Sequence, residues 1–166
     1  MILNRPVLSL RTGAPIGTTT GAIINPNNLK IEGLYCIIPG QKNKTSILVE
    51  QDIRDVIPQG IVVDDAEVLS DPEDLIRLQK IMDLHFELVG KKVVTEDKHR
   101  LGKVSDFAVE TKSMFIKKLY VTQSILKSFA GGNLGVDRTQ IIEITDKKVI
   151  IRELAQKIPA GATATA

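Results

Sequence analysis

The residues with the clearest chemical potential lie in the second half of the chain. Lys91, Lys92, Lys98, Arg100, Lys103, Lys117 and Lys118 crowd into one stretch. Phosphate groups need such cations but set no order for them. Phe107, Phe115 and Tyr120 are interleaved with them, and an exposed ring stacks on a base. Their place in apolar runs predicts core packing instead. The basic stretch is therefore the candidate surface for a protein or nucleic-acid partner.

Other constellations carry less. Asp64, Asp65 and Glu67 could hold a divalent cation or share a proton. They close a strand and precede a helix, so a solvated turn with capping value is expected. His85 and His99 are the only histidines, and neither has a Cys or second His at metal-binding spacing. The run "GGNLG", Gly131 to Gly135, precedes a strand, whereas a phosphate loop opens a helix. A hairpin loop is expected there. There is no Walker-type loop, and no Ser or Thr can be matched to a base. The expectation is a non-enzyme with no catalytic, cofactor or metal residues. Cys36, in "LYCII", is the single cysteine; it cannot form an intrachain disulfide and reads as a core thiol.

The elements that position these groups must come from 166 residues that are 43% hydrophobic but hold only four Phe, two Tyr and no Trp. Ile, Leu and Val must fill the cores, which favours β-rich packing. Residues 1–85 carry 8 Lys/Arg against 11 Asp/Glu, and residues 86–166 carry 14 against 9. Halves of opposite sign could attract each other or separate partners, and ordinary solvated surface is the plainer reading. No stretch reaches the roughly 18 apolar residues of a membrane span. The start "MILNRPVLSLRTG" lacks the pattern of a signal peptide, so a cytoplasmic location is expected.

Short alternating runs at "PVLSL", "GAIIN", "LKIEGLYCII", "SILVE", "IRDVI" and "GIVVD" read as strands. The period then changes. In "SDPEDLIRLQKIMDLHFEL", Leu75, Leu78, Ile81 and Met82 have helical spacing. Ser70 with Glu73 matches a capping box, and Pro72 suits a first turn. The spacing predicts a helix over 72–84. Strand patterns resume at "KKVVTED", "KVSDFAVE", "MFIKKLYV", "LGVD", "IIEI" and "KVIIRE". "TQSILKSFAGG" reads as a loop, and the tail "PAGATATA" as frayed.

Sliding the chain on itself by 85 residues sets Gly17 over Gly102, Ile31 over Ile116, Leu34 over Leu119 and Tyr35 over Tyr120. Further on, after small length changes, "IVV" of residues 61–63 falls over "VII" of residues 149–151, with Ile53 over Ile141. The matching apolar positions indicate an internal duplication. Each copy has about six short strands, and closing them into a barrel would hide their edges. Tyr35 and Tyr120 occupy equivalent places and are candidate anchors.

"VVTEDKHRLGKVSDFAVE", "MFIKKLYV" and "RTQIIEITDKKVIIRE" resemble the PRC-barrel family. The first copy departs from the pattern, with Thr19 where the second has Val104 and Gly21 where it has Asp106. The resemblance implies a mainly β chain: two tandem small antiparallel β-barrels joined by one α-helix. The expected domains are residues 1–69, a linker helix over 70–86, residues 87–156, and a disordered tail over 157–166. The family serves mostly as a docking module. It includes the barrel of the photosynthetic reaction-centre H subunit, the C-terminal domain of the ribosome maturation factor RimM, and archaeal cell-division adaptors. It implies a non-enzymatic protein-binding adaptor that can self-associate, with no catalytic residue to carry over and no cofactor. The alternative is a ribosome- or RNA-associated factor acting through the basic second copy.

Overall fold

The computed structural model describes residues 2–41, 43–123 and 133–152. The tail expected from residue 157, and most of the loop expected over "TQSILKSFAGG", lie outside the described residues. The chain is mainly β and forms two sheets. The first holds β1 (Pro6–Ser9), β2 (Pro15–Asn25), β3 (Lys30–Ile37), β4 (Thr45–Val49), β5 (Ile53–Ile57), β6 (Gly60–Val63) and β7 (Leu69–Ser70). The second holds β8 (Lys92–Thr95), β9 (Arg100–Val109), β10 (Ile116–Thr122), β11 (Asn133–Asp137), β12 (Ile141–Ile144) and β13 (Lys148–Ile151).

The first sheet runs β5-β6-β1-β2-β3-β4-β7, and the second, read from β12, runs β12-β13-β8-β9-β10-β11. Apart from the added β7, the two orders are the same. The irregularities repeat as well. The register shifts just after Val7 opposite Gly17, and just after Val93 opposite Gly102. It shifts again after Ile53 and after Ile141. The apolar positions that repeat in the sequence are the ones that are packed. Val7, Leu34, Leu48, Ile61 and Val63 are fully buried, and so are Val93, Leu119, Val136, Val149 and Ile151. Each such side chain contributes roughly 1.5–3 kcal/mol by leaving water, so the shared positions are the ones that dictate the sheet.

Each sheet differs from an all-antiparallel one at a single pair, β1 with β6 and β8 with β13, both parallel. The cause is local. A 3-10 turn, Glu50–Asp52 or Arg138–Gln140, joins β4 to β5 and β11 to β12 without reversing the chain. The last strand therefore points the same way as the first. Among the described residues no pairing joins the two end strands of either sheet, so each strand order is linear rather than a closed ring.

Gly17 and Gly102 do more than bend a hairpin. A Cβ on Gly17 would lie 3.0 Å from the carbonyl oxygen of Ile37, and one on Gly102 would collide with that of Thr122. These carbonyls are themselves equivalent, so glycine is kept in both copies to let neighbouring strands approach. Thr19, which stands where the second copy has Val104, is buried with its hydroxyl satisfied. It donates to the Ile2 carbonyl at 2.9 Å and accepts from the Arg5 N–H at 3.0 Å.

The chain divides into two compact units. The first is Met1–Phe86 with Val109–Ile116; the second is Glu87–Ala108 with the described residues from Lys117 onward. Within the first unit, Ile31 N–H donates to Met114 O at 2.8 Å and Ile116 N–H donates to Leu29 O at 2.9 Å. Leu29 and Met114 are equivalent positions, both buried and both in the left-handed region at φ 56° and 58°.

The helix is shorter than its spacing predicts. A 3-10 turn at Pro72–Asp74 is followed by Leu75 at φ −102°, ψ 64°, and only then by α1 (Ile76–Met82). The expected capping box of Ser70 with Glu73 does not form: Ser70 belongs to β7 and pairs with Ile47, and the residue at the cap is Asp71, which makes no capping bond and pairs with Lys44 at 2.9 Å. The break turns Leu75 onto the apolar cluster of Ile23, Ile47 and Leu78, which Tyr35, Ile81 and Met82 complete. α1 thereby covers one face of the first sheet.

A candidate anion-binding face on the second sheet

Side chains alternate across a strand. In β8, β9 and β13, the residues Val93, Thr95, Gly102, Val104, Val149 and Ile151 are buried. The alternate positions Lys92, Lys103 and Lys148 are exposed on the other face. Pairing sets Lys148 beside Lys92, and Lys92 beside Lys103. Three lysines thus stand in one row over three adjacent strands, spanning about 10 Å at the usual strand spacing. One step along, Arg100 faces Val94 and is exposed. Among the described residues no carboxylate is within ion-pair distance of Lys92, Lys103 or Lys148.

Like charges at directly opposed positions weaken a sheet. Two unit charges about 5 Å apart repel by about 0.8 kcal/mol in water before salt screening. The row is therefore a cost to folding that a bound anion would remove. The first sheet has no such cost. The positions equivalent to Lys148, Lys92 and Lys103 are Gly60, Pro6 and Thr18: Pro6 pairs with Thr18, and Gly60 stands one residue before Ile61, the partner of Val7. A Cβ on Gly60 would collide with the Pro6 carbonyl. The same row is thus uncharged and closely packed in one copy, and triply cationic in the other.

The remaining basic residues divide. Lys91 is not part of the surface. Only 9% of it is exposed, and its Nζ donates to the carbonyl of Asp146 in the β12–β13 turn. Its equivalent in the first copy, Arg5, does the same, donating from its guanidinium to the Ile57 carbonyl at 2.9 Å and to that of Pro58. Both are structural cations that clamp the last hairpin. Lys98 is exposed in the β8–β9 turn at φ 64°, beyond the end of β8 away from the row. Lys117 is exposed in β10. Lys118 is half-buried, faces Asp137 across the ladder, and lays its Cδ 3.4 Å from where a Gly135 Cβ would stand.

The three aromatic residues part company too. Phe107 is buried and Phe115 half-buried, whereas Tyr120 is 36% exposed and faces Gly135. Tyr35, its equivalent, lies against Gly21 and packs under α1. Ser105 Oγ donates to the Tyr120 carbonyl at 3.1 Å, as Thr20 Oγ1 does to that of Tyr35 at 3.3 Å. Beyond Tyr120, the exposed Thr122 and Asn133 face each other.

Asp64 and Asp65, two of the three clustered acids, have a structural explanation. Arg54 grips both oxygens of Asp64, with Nε at 2.9 Å. Asp65 accepts from the Ala66 N–H at 2.8 Å, capping a 3-10 turn, and from Arg11 at 2.7 Å. The Arg54 hydrogen bond holds Asp64 below the usual carboxylate range, and the Ala66 N–H followed by Arg11 does so for Asp65. His85 and His99 are both exposed. Among the described residues no group of three or more His, Cys, Asp and Glu comes together as a metal site. Burial pushes the Cys36 thiol up to about 11.

Lys148 is the residue that local reading passes over. Its signal is nonetheless present: "KKVV" at residues 91–94 and "KKVI" at 147–150 open the two strands that pair in parallel. No protein-family model matches the chain, and no curated protein matches it in sequence.

Proposed function

We propose that this chain is a non-enzymatic cytoplasmic adaptor built from two PRC-barrel-like repeats, and that its second repeat docks an anionic macromolecule. The resemblance supplies the class, a docking module, and the small-barrel reading of each repeat. The surface is supplied by one observation, the row Lys148–Lys92–Lys103 standing where the first copy has Gly60, Pro6 and Thr18. A duplication frees one copy to change its surface while the shared core keeps the fold. Part of the first copy's outer face, at Ile23, Tyr35 and Ile47, is covered by α1, and its row positions carry no charge, which favours the second copy's face for docking.

The test is cross-linking of the full chain in an extract of its native host, followed by capture. The adaptor reading expects specific partners that are lost from Lys92→Ala/Lys103→Ala/Lys148→Ala and kept by Thr18→Ala. Recovery of the same partners by the triple variant would remove the row from the account.

A further inference from the structure

We infer that the docked macromolecule is single-stranded RNA, held by its phosphates on Lys92, Lys103 and Lys148 and by one base on Tyr120. This rests on the adaptor reading and names its partner. Three features favour a nucleic-acid strand over an acidic protein. The cations are lysines on an exposed sheet face, point charges that fix no carboxylate geometry and tolerate a sliding polyanion. They stand in a line rather than in a pocket, one strand spacing apart. A partly exposed ring, Tyr120, faces a glycine, Gly135. Gly135 brings no side chain of its own over the ring, the Lys118 stem lies beside it, and every base has a face that stacks on such a ring. Lys103 follows Gly102, which packs against the carbonyl of Thr122, two residues beyond Tyr120 on the neighbouring strand.

The neutral groups beside the ring favour RNA over DNA. Thr122 and Asn133, exposed and directly paired, offer a hydroxyl and an amide. Such groups both donate to and accept from a ribose 2′-hydroxyl, which DNA lacks. The acids nearby limit the footprint. Asp137 faces Lys118, so the phosphates belong on the lysine row and not at β11.

The experiment is fluorescence anisotropy of the full chain with a labelled mixed-sequence 12-nucleotide RNA, at salt from 50 to 200 mM. Three phosphate contacts to a single strand predict a log–log salt slope of about −2, or roughly a 20-fold loss of affinity over that range. The Lys92→Ala/Lys103→Ala/Lys148→Ala variant should bring the slope close to zero. Tyr120→Leu should weaken binding about fivefold or more at constant slope, and DNA of the same sequence should bind more weakly. Thermal melts establish that each variant is folded. Absence of binding, a slope unchanged in the triple variant, or equal affinity for DNA would overturn the assignment. So would capture of an acidic protein through the same lysines with no RNA affinity. That last result leaves the adaptor reading standing. If cross-linked partners ignore the lysine row, the row leaves the adaptor account; if no specific partner is captured, the adaptor reading falls.

Discussion

Replacing Lys91 with methionine tests whether neighbouring lysines in one dipeptide have opposite roles. Methionine keeps the apolar stem and removes the Nζ that donates to the Asp146 carbonyl. A hydrogen bond from a charged donor contributes about 1.5–3 kcal/mol. The lysine also gives up hydration in a site where only 9% of it is exposed, which offsets part of this. The net expectation is a loss of about 1–2 kcal/mol. At a typical urea dependence near 2 kcal/mol per molar, the unfolding midpoint of the second unit should fall by roughly 0.5–1 M. Lys92→Met, one residue on, removes a charge from the repulsive row and should leave stability within about 0.5 kcal/mol of wild type or raise it slightly. Arg5→Met in the first unit should behave like Lys91→Met, because Arg5 makes the equivalent contacts. Urea unfolding followed by circular dichroism reads all three. Equal stability for Lys91→Met and wild type, with a loss for Lys92→Met, would refute the clamp.

Three further outcomes follow from the same contacts. Gly60→Ala and Gly102→Ala place a Cβ against a backbone carbonyl and should each cost about 1–3 kcal/mol or more, read by thermal or urea unfolding. Leu78→Ala should destabilise the first unit by about 2–3 kcal/mol, the lower part of the usual range, because the cluster it joins is small; a normal midpoint would mean α1 is not held there. Asp64 and Asp65 are held low, so their contribution to stability is present above their ordinary range near pH 4. It is lost as pH falls through the lowered values. A carboxyl NMR titration should show Asp64 titrating below that range in wild type and moving up in Arg54→Gln; unchanged titration would mean that the ion pair does not form in solution.

Much of this arrangement is legible in the sequence because it is local. Alternation locates the strands, and the 85-residue offset finds Ile31, Leu34, Ile116 and Leu119, all fully buried. What is hidden depends on partners far along the chain. The β8–β13 pair joins residues 92–95 to 148–151, so neither the parallel pairing nor the place of Lys148 follows from nearby residues. The 3-10 turns that make the pairing parallel look like ordinary polar links. Lys91 and Lys92 have the same chemistry, and only the turn at Asp146 separates them. The helix start fails for the same kind of reason. Asp71 has the right type and position for a cap, but Lys44 takes its carboxylate. Tyr35 and Tyr120 share a register position, and what lies over them decides which one is a core residue.

The internal repeat supplies its own control for the central claim, that the second sheet's lysine row is a docking face added to a shared fold. Amide chemical shifts of the full chain should be followed during titration with the 12-nucleotide RNA at low salt. The account predicts shifts concentrated at Lys92, Arg100, Lys103, Tyr120 and Lys148, with Thr18 and Gly60 at the equivalent row of the first sheet unmoved. Shifts at Thr18 and Gly60 of the same size, or none at the three lysines, would contradict it.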